Sequence, residues 1–251
     1  MDELAVAAAR VDLAAAFRLA VRMDLHEGVC NHFSFMLPDN DEARANRSRH
    51  FFLNRFGLHW SEVTASNLLM LDAEGTVLEG EGEFEKTAFY IHSRIHLANP
   101  RAACVLHTHM PYATALTLLE GGRLEMVEQN ALRYYDDIAY DDTYNGLVVD
   151  NAEGDRLARV LGTKRVMFLA NHGVIVVGPS IAEAYDLMYY LERACRLQVL
   201  ARATGGKLKP VRDEVVRETY RLLLADAPKY AGAHFAALKR ILDREAPDYS
   251  R

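Results

Sequence analysis

Four short apolar runs crowd residues 33–78 and limit what this chain can become. Phe33–Leu37, His50–Asn54, Asn67–Asp72 and Thr76–Leu78 read as strands, separated by turn residues such as Pro38-Asp39-Asn40 and Ala73-Glu74-Gly75. So many short strands in so little chain predict antiparallel neighbours in one sheet. Ahead of them, Leu13, Phe17, Ala20, Val21 and Leu25 recur every three or four residues, predicting an amphipathic helix over Val11–His26 that stops at Gly28. Ser61 reads as the cap of one short turn. The polar run Asp41–Arg49 reads as an exposed loop.

Helical spacing then alternates with apolar strands. Helices are predicted over Lys86–Leu97, Pro111–Leu119, Asn151–Leu161 and Ser180–Arg202, and strands over Ala103–Leu106, Tyr134–Ile138, Val166–Ala170 and Val174–Val177. Gly205-Gly206 marks a break, and Pro210–Arg251 reads as helical with an interruption at Pro228. The pattern predicts a mixed α/β domain over residues 1–206, with residues 207–251 as a helical C-terminal extension packed on it.

Composition excludes several classes. Half of the 251 residues are apolar, enough for a sizeable core. The net charge of −6 argues against nucleic-acid and anionic-membrane partners. No run can span a bilayer, and the start, with Asp2 and Glu3, does not read as a signal peptide. Three widely spaced cysteines without a CxxC pair exclude a disulfide framework and fit a reducing cytoplasm.

The chemistry concentrates in histidines. In extended backbone, residues i and i+2 share a face, so His107 and His109 present two imidazoles together at a strand end. Neutral imidazole nitrogen at this spacing suits a first-row metal, although two hydrogen-bonded strand-end histidines would look the same. Asn171-His172-Gly173 sits between two apolar runs, where a polar side chain needs a partner. With His172 the set becomes three nitrogen ligands with open positions, an arrangement suited to catalysis.

These residues carry a resemblance. Gly28-Val-Cys-Asn-His-Phe-Ser34, Phe51-Phe-Leu-Asn-Arg-Phe-Gly-Leu-His-Trp-Ser-Glu62, His92-Ser-Arg-Ile-His-Leu-Ala-Asn-Pro100, His107-Thr-His109 and Asn171-His-Gly173 together resemble the class II aldolase/adducin family, over about Asp12 to Ala203. The resemblance is closest to adducin-like bacterial members. It implies a three-layer αβα sandwich around a mainly antiparallel nine-stranded sheet. It also implies one divalent metal on His107, His109 and His172, with zinc first and manganese or iron as alternatives. The implied assembly is a homotetramer with interfacial active sites, acting on a small anionic molecule.

One departure from the family pattern decides the expected chemistry. Sugar-phosphate aldolases and epimerases of the family carry a carboxylate base nineteen residues before the first metal histidine, and here that position is Ala88. The serines that hold phosphate are replaced by Lys86 and Thr87, and the phosphate loop reads Asn54-Arg55-Phe56-Gly57. Aldol chemistry needs a base, whereas loss of CO₂ itself yields a metal-stabilised enolate. The expected activity is therefore a metal-dependent lyase that breaks a carbon–carbon bond by retro-aldol cleavage or decarboxylation. An Fe(II) oxygenase and a non-catalytic adducin-like interaction domain are the alternatives.

Candidate replacements for the lost acid/base are Glu85, His92, Tyr134 and Tyr135. Glu85 and His92 lie one turn to either side of Ala88; Glu85 reads better as a helix-start carboxylate, and His92 reads equally as a helix-packing histidine. For substrate, Asn31 lies in the family's first anion-binding loop, and Lys86 and Arg55 offer positive charge. His32 and His96 fall within the motifs as neighbours of the site. Asp136, Asp137, Asp141 and Asp142 read as a solvated acidic loop.

Overall fold

The computed structural model describes residues 3–38 and 49–251. The loop predicted at Asp41–Arg49 therefore lies almost wholly outside the described residues. Strands β1 (His32–Met36), β2 (Phe51–Leu53), β3 (Leu69–Leu71), β4 (Val77–Glu79), β5 (Cys104–Thr108), β6 (Ile138–Asp141), β7 (Val166–Leu169) and β8 (Gly173–Gly178) form one sheet in the order β4-β3-β2-β1-β5-β8-β7-β6. The early strands are antiparallel neighbours, as their crowding predicts.

The predicted strand count is corrected. The sheet has eight strands among the described residues, not nine, and it is mainly antiparallel but mixed: β6 and β7 run parallel. The connection between them explains this, because helix α4 (Asn151–Leu161) intervenes and returns the chain in the same direction. The strand predicted at Tyr134–Ile138 is also displaced. Residues Ala131–Tyr134 form a single 3₁₀ turn, Asp136 takes a positive φ of 50°, and extended backbone begins only at Ile138.

Strand alternation divides the core. Cys104 and Leu106 of β5, Val174 and Val176 of β8, and Val166 and Phe168 of β7 enter one apolar cluster. Helices α1 (Glu3–Arg22), α3 (Pro111–Thr117) and α5 (Ile181–Ala203) complete that layer with residues such as Phe17, Leu116 and Met188. Val105, Ile175, Val177 and Met167 face the opposite way, against Ile91 and Ile95 of α2 (Lys86–Ala98) and Leu157 and Leu161 of α4. The result is helix, sheet and helix in three layers.

Of the acidic residues expected in a solvated loop near β6, Asp136 and Asp142 are exposed, but Asp137 and Asp141 are not. Asp141 is buried and takes two hydrogen bonds from Arg156 at 2.9 and 2.6 Å, and Asp137 pairs with Arg165. Each carboxylate is buried only because a guanidinium accompanies it.

The C-terminal residues form α6 (Asp213–Ala225) and α7 (Ala227–Glu245), with Pro228 in the first turn of α7, where a missing N–H costs nothing. Phe235, Leu238 and Leu242 of α7 and the later Tyr249 join the same cluster as α1 and α5. Phe235 is 4% exposed and its ring lies 5.7 Å from that of Tyr185 on α5. Phe235→Ala is expected to destabilise the whole chain by about 3–5 kcal/mol. Urea unfolding followed by far-UV circular dichroism should show one transition at a lower midpoint, whereas a separate early transition would contradict a shared core.

Candidate metal centre

Strand pairing assembles the site. His107, at the end of β5, lies opposite His32 of β1 and Ile175 of β8. His109 follows two residues later, and His172 sits in the turn between β7 and β8, beside Asn171 with φ 58°. One ring nitrogen from each of His107, His109 and His172 falls within 4.8 Å of the others. Their ring centroids are 4.7–5.0 Å apart. Gly173 makes this approach possible: a Cβ there would stand 2.6 Å from the Thr108 carbonyl oxygen and 2.8 Å from the His109 ring.

The hydrogen bonds fix which nitrogens are bare. His107 Nδ1 lies 3.0 Å from the Val174 carbonyl oxygen, which can only accept, so Nδ1 carries the hydrogen. His109 Nδ1 lies 2.5 Å from a carboxylate oxygen of Glu27 and carries its hydrogen in the same way. Burial, followed by the fields of neighbouring imidazoles, holds His107 well below its ordinary pKa and brings His172 down to about 4. With both imidazoles neutral, the Nε2 atoms of His107 and His109, 3.2 Å apart, face each other as two lone pairs. That contact is repulsive unless a cation lies between them. Two nitrogens each about 2.0–2.1 Å from one ion come about this far apart. The donor set thus fits a divalent metal. Glu27 bound to the far nitrogen of His109 is the usual arrangement behind a metal-binding imidazole.

Asn31 also reaches this centre. It is 1% exposed, and its Oδ1 accepts from the Glu27 N–H at 2.8 Å and the His109 N–H at 3.4 Å. Its Nδ2 is buried with no hydrogen-bond partner. A buried amide donor costs free energy until something accepts from it, so Nδ2 is a ready donor for an oxygen of a bound molecule.

The chain belongs to the class II aldolase and adducin family. The family described as "Class II Aldolase and Adducin N-terminal domain" matches residues 11–199. An aldolase II superfamily protein from Pseudomonas syringae is 34% identical, with a TM-score of 0.88 over 98% of this chain and 96% of that one. L-fuculose 1-phosphate aldolase from Glaciozyma antarctica is 27% identical, with a TM-score of 0.85 over 100% of this chain and 95% of that one. Mouse alpha-adducin is 33% identical over 78% of this chain, which corresponds to 26% of the adducin.

Within this class II aldolase-type chain the other candidates fall in different places. Glu85 caps α2, accepting from the Ala88 N–H at 2.8 Å and from the Thr87 hydroxyl, so its carboxylate is committed to the helix start. Tyr134 does not join the triad: it is 1% exposed in the core and its hydroxyl donates to the Leu187 carbonyl at 2.6 Å. Lys86 and Arg55 are exposed, and Arg55 lies over Gly82. His92 is fully buried and hydrogen-bonds to His32 rather than to the triad.

Sequence reasoning passed over two residues. Glu27 stands immediately before the Gly28 motif, but nothing local links it to His109, 82 positions away. Tyr144 lies half-exposed with its ring 6.3 Å from that of His172.

Removing the Glu27 carboxylate should loosen His109 without touching the other ligands. Glu27→Gln is expected to weaken zinc binding by about 10–100-fold, read by competition with a chromogenic chelator; unchanged affinity would contradict the role of Glu27. A second expectation concerns acid. Burial holds His92 well below its usual pKa and brings His96 to about 4, against 6.5 in the unfolded chain. The unfolded state therefore binds more protons, and stability rises with pH. The stabilisation is complete above pH 6.5 and is lost as pH falls toward about 4. The urea midpoint of the metal-free protein should drop across that window, and a flat midpoint would contradict buried neutral imidazoles.

Proposed function

We propose that this chain is a divalent-metal-dependent lyase that cleaves a carbon–carbon bond in a small carboxylate or hydroxy-carbonyl substrate. The observation that carries the reading is the pair of opposed Nε2 lone pairs on His107 and His109, with His172 alongside. These three residues would hold the metal, zinc in the first instance and manganese or iron as alternatives. When bound there, a divalent ion supplies Lewis-acid stabilisation of negative charge developing on a carbonyl oxygen.

The chain's own residues account for the rest. Glu27 orients His109, and the free Nδ2 of Asn31 donates to an anionic oxygen of the substrate. Ala88 is 1% exposed and offers no base where sugar-phosphate members of the family carry one. That absence favours decarboxylation, which needs only a proton donor after the bond breaks, over deprotonation-led aldol chemistry. Lys86 and Arg55, both exposed, remain the proposed sources of positive charge for the substrate. The working form is a homotetramer in the cytoplasm, with each site completed at a subunit boundary.

A second reading has an observation in its favour: the 33% identity to mouse alpha-adducin fits a non-catalytic interaction domain. The intact triad and the unpartnered Asn31 amide weigh against it, since an interaction domain has no use for either.

Protein purified without a histidine tag and reconstituted with zinc, manganese or iron separates these readings on a panel of short hydroxy and keto acids. Anaerobic release of CO₂ or of an aldehyde supports the lyase. Turnover that requires iron and consumes oxygen overturns it in favour of an oxygenase, and no turnover with any metal favours the adducin-like domain. Asn31→Ala is expected to lower kcat/KM by roughly 10–100-fold, the loss of one hydrogen bond to a charged group. An unchanged kcat/KM would remove Asn31 from the substrate site.

A further inference from the structure

Two periodicities meet behind the triad. On β1, alternation sends Phe33 and Phe35 into the cluster shared with α1, so His32 and Ser34 project to the α2 side of the sheet. On α2, His92 and His96 are four residues apart and share a face. The four side chains are all buried and join in one hydrogen-bonded chain. His32 Nδ1 lies 2.7 Å from His92 Nε2, His92 Nδ1 lies 2.5 Å from Ser34 Oγ, Ser34 Oγ lies 2.7 Å from His96 Nε2, and His96 Nδ1 lies 2.5 Å from the Ala102 carbonyl oxygen.

The last link gives the chain a direction. A carbonyl can only accept, so His96 carries its hydrogen on Nδ1. Burial keeps these imidazoles neutral, which leaves His96 Nε2 as an acceptor. The Ser34 hydroxyl has one hydrogen and must give it to His96. Toward His92 it can then only accept, so His92 carries its hydrogen on Nδ1. His92 Nε2 is left to accept, and His32 must donate from Nδ1. Every hydrogen is assigned, and the chain ends on a bare Nε2 at His32. The two ring nitrogens diverge, so that lone pair is directed away from His92. The His32 ring lies 4.7 Å from the ring of His107, its cross-strand partner.

We propose that Ser34, His92 and His96 are positioning residues whose one-way hydrogen-bond chain fixes His32 with its hydrogen on Nδ1, holding a bare Nε2 beside the triad as the hydrogen-bond acceptor for a hydroxyl of the substrate. The substrate part rests on the lyase reading; the hydrogen-bond direction does not. The acceptor stands in for the carboxylate lost at Ala88, one helical turn before His92. It also selects among small acids, since a ligand with a hydroxyl donor satisfies His32 and one without it leaves the lone pair unpaired. His92 thereby acts through His32 rather than on the substrate.

The test is the tautomer of each imidazole, read by long-range proton–nitrogen correlation spectroscopy on protein labelled with ¹⁵N-histidine, both metal-free and zinc-loaded. In the unaltered protein, His32, His92 and His96 should all carry hydrogen on Nδ1; hydrogen on Nε2 of His32 would overturn the proposal without any variant being made. Ser34→Ala breaks the chain at its hydroxyl. His92 and His32 are then expected to lose the Nδ1–H signature while His96 keeps it, and Ser34→Thr, which restores a hydroxyl, should restore all three. A His32 tautomer unmoved by Ser34→Ala would overturn the proposal. Because the metal-free spectrum decides the direction, failure here is distinguishable from failure of the lyase reading, which the turnover assays decide.

Discussion

Two imidazole lone pairs facing each other at 3.2 Å are the constraint around which the rest of this molecule is arranged. Left alone, His107 and His109 would turn apart or share a hydrogen. As neutral imidazoles they do neither, because the hydrogen of each is already committed on the far nitrogen, one to the Val174 carbonyl and the other to Glu27. The commitment to Val174 is a cross-strand contact and depends on the β5–β8 register. The commitment to Glu27 depends on the segment after α1, which Asn31 ties to the His109 backbone. The sheet and its first helix therefore hold two like dipoles together, at an electrostatic cost that a bound cation would remove.

The same economy of space explains Gly173 and the buried histidines. Any side chain at Gly173 would collide with β5 and push His172 away from its partners. Behind the triad, a layer that would ordinarily be apolar contains His32, His92 and His96, yet each finds a partner through Ser34 and the Ala102 carbonyl. A fully satisfied polar network of this kind rigidifies its surroundings, while a broken one is costly. Ala88, one turn before His92 on the same helix, is buried and brings no carboxylate to this network.

Much of this was legible in the sequence. The i, i+2 spacing of His107 and His109 on an apolar strand, and His172 between two apolar runs, are local signals that survive folding unchanged. So are most helices, because periodicity, capping residues and glycine or proline stops act within one element. The misses share a cause: they depend on pairing between distant segments. Whether β6 runs parallel to β7 is decided by the intervening helix, and Asp136 breaks the extended run predicted around Tyr134. Tyr134 reads as a polar handle near a site, but its hydroxyl meets a helix carbonyl 53 positions away. Asp137 and Asp141 read as solvent-facing until Arg165 and Arg156 fold against them. Glu27, 82 positions from His109, carries no sequence signal of its role. The direction of the histidine chain rests on one backbone carbonyl, which no sequence pattern reveals.

The central claim is that the opposed nitrogens of His107 and His109 are a cation site. Calorimetric titration of the metal-free protein with zinc tests it most directly, alongside His107→Ala. The account predicts saturation at about one ion per chain, the stoichiometry of a three-histidine site, and loss of that binding in the variant with its circular dichroism unchanged. Absence of binding to the folded protein, or equal binding by His107→Ala, would contradict it.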